Sequence, residues 1–245
     1  MAPENATKPN RSWLDVLATA GILSACVAIV WTTVFRSPLS VRPKDHREIP
    51  TPTEPLSLEG VATKGSPAAR VALVEFSDFQ CPFCGQFVTN TLSELLTSYV
   101  DTGRVVLAFR NLPLEGLHPT AVTAAKISVC AQMENKFWAV HDSFFTAPGA
   151  RTEAEFITRA ERAGMAEQDI ATCKDSREAA ARVKADLALA EKLHLQSTPA
   201  FLIGTLNGSD VSVRRTILGA RPRSEFEAIL NEILATTDAG PVLPR

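Results

Sequence analysis

Two cysteines separated by two residues, Cys81 and Cys84 in Cys-Pro-Phe-Cys, stand where a strand pattern gives way to a helix pattern. That junction restricts the fold more than any other feature of the chain. Upstream, residues 71–76 (VALVEF) form a short β-branched and apolar run that reads as a buried strand. Downstream, Pro82 suits a first helical turn, and Phe87, Leu92, Leu95, Leu96 and Tyr99 recur at helical spacing until Gly103 stops the segment. Residues 104–109 (RVVLAF) read as a second strand. The order strand, helix, strand is a βαβ unit if the two strands run parallel.

At a helix start, free backbone N–H groups and the positive end of the helix dipole stabilise a thiolate. Cys81 is therefore expected to have a lowered pKa. Cys84 comes one turn later on the same face, near enough to close a disulfide and expected to be more buried. Exchange would run by thiolate attack, a mixed disulfide, and resolution by the second thiol. The same spacing also serves half of a zinc site, or two small buried hydrophobes. Zinc calls for a second close pair of ligands, whereas Cys130 and Cys173 stand alone and no histidine lies at ligand spacing from either. The redox reading is preferred, with no metal and no cofactor.

The rest of the chain supplies a fold for this pair. Helical stretches are predicted at 121–133, 136–145, 153–163, 167–173 and 177–193, punctuated by Pro119, Pro148 and Gly164. The first four resemble an inserted helical block. Residues 200–204 and 211–217 are strand-like around Asn207-Gly208, a type I′ hairpin signal, and 224–234 close with a helix capped by Ser224 and Glu227.

With 45% apolar and 21% charged residues among 245, the chain can bury a full core, and a net charge of -2 gives no nucleic-acid footprint. Proteins or small molecules are the expected partners. Residues 16–35 hold no charged residue over a length that crosses a bilayer, with Arg11 and Asp15 before them and Arg36 after. The run is read as one transmembrane anchor, in preference to a cleaved signal peptide or a buried core helix. Cys26, inside it, is expected only to pack. Counting Lys8 and Arg11 against Arg36, Arg42, Lys44 and Arg47 favours a cytoplasmic C-terminal domain. Thiol oxidation argues for the opposite side, and an early apolar helix commonly serves as a signal anchor, so the domain is placed outside the cytoplasm, at a periplasmic or other extracytoplasmic face. Prolines at 38, 43, 50, 52, 55 and 67 describe a tether. The organisation predicted is a short segment 1–15, an anchor 16–35, a Pro-rich tether 36–67, a catalytic domain 68–236 with a helical insertion at about 118–175, and a tail 237–245.

Residues 74–84 (VEFSDFQCPFC) resemble the active-site segment of DsbA-like proteins of the thioredoxin superfamily. The likeness continues through Arg110-Asn111-Leu112-Pro113-Leu114, His118-Pro119, Lys136-Phe137-Trp138 with His141 and Phe144-Phe145, and Ser197-Thr198-Pro199-Ala200-Phe201. It covers about 56–234 and implies an α/β thioredoxin fold with an inserted helical block, here preceded by a single N-terminal transmembrane helix.

The resemblance further implies that Pro199 is cis beside the cysteines and that Thr198 offers backbone groups to a bound peptide. Pro82 and Phe83, between the cysteines, join that substrate-binding set. Glu75, on an otherwise apolar strand, resembles the buried acid under the family's site and would relay the proton of Cys84; pairing with a basic core residue is the alternative. A buried carboxylate without a partner should have a raised pKa. Some family members carry a second, non-catalytic bridge, which Cys130 and Cys173 would form here. Phe83 replaces the histidine of the most oxidising members, which leaves the net redox direction open. His118 and His141 are read as structural.

The leading expectation is a membrane-tethered enzyme that exchanges disulfides with secreted proteins, most readily as an oxidase recycled by a membrane redox partner. A thiol reductase, for example in cytochrome maturation, is the nearest alternative. A non-enzymatic peptide-binding module with a redox switch and a cytoplasmic glutaredoxin-like enzyme complete the set.

Overall fold

Seven consecutive buried residues, Val71–Ser77, form the central strand of the sheet, and every other element is arranged around it. The computed structural model describes residues 51–146 and 151–238. The predicted anchor at 16–35, the first part of the tether and the last residues of the tail lie outside the described residues. Among the described residues no helix is long and apolar enough to cross a membrane.

In chain order the strands are β1 (Leu56–Ser57), β2 (Ala62–Lys64), β3 (Val71–Ser77), β4 (Val105–Asn111), β5 (Ala200–Asn207) and β6 (Asp210–Leu218), in the spatial order β1-β6-β5-β3-β4-β2. β3 and β4 are parallel, as the βαβ reading requires. All other pairings are antiparallel.

The crossover from β3 to β4 is helix α1, which opens at Pro82–Phe87 and continues through Val88–Leu92, Ser93–Leu95 and Leu96–Val100. Val88–Leu92 and Leu96–Val100 are wound as π-helix. The wider winding still turns Phe87, Leu92, Leu95 and Tyr99 into the core with Val71, Leu73, Phe201 and Ile203.

The helical block is α2 (Ala121–Met133), α3 (Phe137–Thr146), α4 (Glu153–Arg162) and α5 (Glu167–Lys174), followed by α6 (Arg177–Lys192) and, after the hairpin, α7 (Arg223–Asp238). Alternation along β3 divides the core. Val71 and Leu73 pack toward α1 and α7, while Ala72, Val74 and Phe76 pack with Ala190 of α6. The block has its own core, which joins Phe79, Cys81 and Cys84 to α2 through α6.

Three local expectations change. The stretch assigned to a tether from 36 to 67 contains β1 and β2, which pair with β6 and β4 at the two edges of the sheet. Its prolines at 55 and 67 flank these strands rather than interrupt them, and strands this short carry no readable periodicity. The hairpin turns on Gly208 and Ser209, because Asn207 pairs with Asp210; only Gly208 has a positive φ, which is a II′ pattern rather than I′. The closing helix begins at Arg223, so Ser224 lies in its first turn.

β4 is joined to α6 by charge. Arg110 pairs with Asp186 at 2.6 Å and also donates to the Ser57 carbonyl, while the Asn111 N–H donates to the same Asp186 carboxylate. The Arg110-Asn111 part of the motif thus fixes the sheet to its neighbours.

Candidate active site

The loop between β3 and α1 is tied down from several sides. The Cys81 N–H donates to the Asp78 carbonyl at 3.0 Å. The buried Asp78 carboxylate accepts the Gln80 N–H and the Leu114 N–H, each at 2.8 Å, and its Oδ2 also lies 2.8 Å from His118 Nδ1. Gln80 in turn accepts the Thr120 N–H at 3.0 Å. The segment before the cysteines is thus locked to the segment before α2. Short side-chain to backbone bonds of this kind hold a turn where no ladder can.

Cys81 is the N-cap of α1, in extended conformation with φ -71° and ψ 122°, and Pro82 occupies the first helical position, where its missing N–H costs nothing. The Thr198–Pro199 peptide is cis. Cys81 Sγ–H donates to the Thr198 carbonyl at 3.4 Å, across 117 residues of sequence. Both cysteines are free thiols; Cys81 is 6% exposed and Cys84 fully buried.

Their electrostatics diverge. Hydrogen bonding from the Cys84 thiol, opposed by burial and assisted by the Thr198 hydroxyl and the N–H groups of Cys84 and Phe83, lowers the Cys81 pKa from 9.0 to about 5. Cys84 moves well upward, first because it is buried and then because of the Cys81 thiolate beside it and Glu75. The first proton to leave the pair is therefore that of Cys81, which on ionising gives up its donation to Thr198 and accepts a hydrogen bond from the Cys84 thiol.

Glu75 lies fully buried on β3, paired in register with Phe109 on β4 and Phe201 on β5. Neither carboxyl oxygen has a hydrogen-bond partner, and the Ser77 hydroxyl on the same face is equally unpartnered. Burial raises the Glu75 pKa from 4.5 to about 7. Among the described residues no basic residue pairs with it. Its charge acts on Cys84.

Beside Cys81 opens a groove of about 700 Å³, walled by Phe79, Pro82, Gln86, His118, Phe144 and Arg151. Phe83 is 55% exposed beside the nucleophile, and Leu117 is exposed next to His118. The groove wall includes His118, which sequence reasoning assigned to a loop end. Its bond to Asp78 spans 40 residues and has no local signature. His141 is fully enclosed by Phe79, Phe109, Phe137, Trp138 and Phe145, and burial depresses its pKa. Cys130 of α2 and Cys173 of α5 form a disulfide with a Cα–Cα distance of 5.8 Å.

Comparison with known proteins agrees with this geometry. A family model described as thioredoxin matches residues 58–214. A probable disulfide bond formation protein D from Bacillus anthracis is 27% identical over 203 residues, covering 80% of this chain and 91% of that protein. A Na(+)/H(+) antiporter, NhaA 3 of Salinispora tropica, is 30% identical over 196 residues, but the match covers 76% of this chain and only 29% of the antiporter. Among solved structures, α-DsbA1 of Wolbachia pipientis superposes with a TM-score of 0.67 at 18% identity, over 75% of this chain and 96% of that one.

Proposed function

The chain belongs to the thioredoxin family, and from that premise we propose that it is a thiol-disulfide oxidoreductase that oxidises exported polypeptides while tethered to a membrane. One observation carries the reading: Cys81 caps α1 with its Sγ 3.4 Å from the Thr198 carbonyl beside the cis Pro199, next to the fully buried Cys84, an arrangement that lowers the Cys81 pKa to about 5 and raises that of Cys84. A stabilised Cys81 thiolate stabilises the reduced enzyme, which makes its disulfide a stronger oxidant.

In the oxidising direction a substrate thiolate attacks Cys81 Sγ of the Cys81–Cys84 disulfide. The new bond joins substrate and Cys81, and Cys84 leaves as a thiolate. Its high pKa demands a proton, and Glu75, raised to about 7 and acting on Cys84 through its charge, is suited to supply it. A second substrate thiolate then attacks the first substrate sulfur and expels Cys81. That leaving group needs no proton at neutral pH. The substrate has lost two electrons, the enzyme has gained them, and a membrane redox partner must remove them.

Thr198, Pro199, Pro82 and Phe83 form the peptide-binding side of the site: the Thr198 carbonyl lies against Cys81, Pro82 lines the groove and Phe83 is exposed beside it. The Cys130–Cys173 bridge supports a location outside the cytoplasm, where disulfides persist.

The potential of the Cys81–Cys84 couple tests the direction. A value near about -120 mV supports an oxidase, and one near about -270 mV makes the protein a reductase. Cys81→Ser should abolish oxidation of a reduced test protein; retained exchange would exclude the enzymatic reading.

A further inference from the structure

Oxidising a dithiol substrate removes two protons from it, and neither cysteine nor Glu75 meets the substrate thiol to take them. An ordinary thiol, with a pKa of about 8.5, is only a few per cent thiolate at neutral pH. The Cys81 thiolate cannot serve as base, because in the oxidised enzyme that sulfur is in the disulfide. Glu75 is enclosed beneath Cys84 and meets the leaving group, not the entering one. Arg151, also on the groove wall, is a cation that can attract a thiolate but cannot take a proton.

His118 fits the missing role. It stands in the wall of the groove that contains Cys81, with its side chain 19% exposed. Nδ1 lies 2.8 Å from Oδ2 of the fully buried Asp78 carboxyl, whose two oxygens already accept the Gln80 and Leu114 N–H groups. In the neutral ring, a hydrogen bond from Nδ1 to this carboxylate leaves Nε2 as the lone-pair nitrogen. The same Asp78 accepts the Cys81 N–H through its carbonyl, so one residue positions both the nucleophile and the imidazole.

Resting on the oxidase reading above, we propose that His118 is the general base for incoming substrate thiols, with Asp78 as its positioning residue. In the first step Nε2 takes the proton from the substrate S–H as its sulfur bonds to Cys81 Sγ and the Cys81–Cys84 bond breaks. The imidazolium returns its proton to water before the second substrate thiol is deprotonated in the same way. Over a full turnover His118 passes two S–H protons to water, Glu75 gives one to Cys84 and takes one back from solvent, and the net release is one proton.

The test uses the full chain in detergent, its oxidised form mixed with an excess of a synthetic peptide dithiol, and in parallel with an aryl dithiol already ionised at neutral pH. His118→Ala and His118→Asn should slow oxidation of the peptide by about 100-fold. The aryl dithiol should lose far less rate than the peptide does, and added imidazole should restore part of the His118→Ala rate on the peptide. Equal losses on both substrates in both variants, or no loss on the peptide, would overturn the assignment. If the wild-type enzyme oxidises neither dithiol, the oxidase reading fails and the base falls with it.

Discussion

At the residue scale, the two thiols of one helical turn should behave as different chemical groups. Alkylation of the reduced protein by a small haloacetamide is expected to label Cys81 alone, with a rate that inflects near pH 5, since its pKa falls from 9.0 to about 5. Peptide mapping of the label checks this. A depressed folded-state pKa adds stability above the unfolded value and loses it as pH falls through the folded one. The reduced form should therefore gain stability over the oxidised form as pH rises from about 5 to about 9. Glu75 has the opposite sign: its pKa is raised from 4.5 to about 7, so folding costs more as pH climbs through that window. Glu75→Gln should remove a loss of about 3 kcal/mol between those limits, read from denaturant unfolding at a series of pH values. It should also slow release of Cys84 without abolishing exchange. Cys81 and Cys84 were legible because their spacing, strand and helix follow one another without a break from Val71 to Val100. Thr198 was legible only through resemblance, since it meets Cys81 from 117 residues away. The partnership of Asp78 and His118 was not legible, because a loop-to-loop bond leaves no periodicity to read.

At the scale of elements, the helical block depends on a bridge between α2 and α5. The Cys130–Cys173 loop spans 43 residues, and closing a loop of that size is worth about 4 kcal/mol in the chain-entropy model. Replacing both cysteines by alanine should lower the denaturant midpoint by a corresponding amount, while the Cys81–Cys84 potential changes little. A loss far below 1 kcal/mol would mean that packing of Phe144, Phe156 and Ile170 already fixes the block. Helix boundaries from 121 onward could be read from apolar spacing and from Gly164 and Pro119, which stop or start the helical pattern. The π-wound turns of α1 could not be read, because its apolar residues satisfy an ordinary helical period equally well. The edge strands β1 and β2 escaped notice for a different reason: two or three residues carry no alternation, and their surroundings are rich in proline.

At the scale of the whole molecule, orientation is the quantity that sequence left in conflict. The charge count around residues 16–35 favours a cytoplasmic domain, whereas the Cys130–Cys173 bridge is at home in an oxidising compartment. In intact cells with a permeable outer layer, added protease is expected to reach the domain, and a thiol-trapping gel should show Cys130 and Cys173 oxidised. A protected domain with all thiols reduced would reverse the assignment.

A long free sheet edge is a template on which another extended chain can add as a strand. Here the outermost positions are held by β1, two residues long, and β2, three residues long, each paired inward. These stubs leave little backbone for another extended chain to template upon. Under the proposed oxidase reading, an extended substrate would then meet the groove beside Cys81 rather than a free sheet edge.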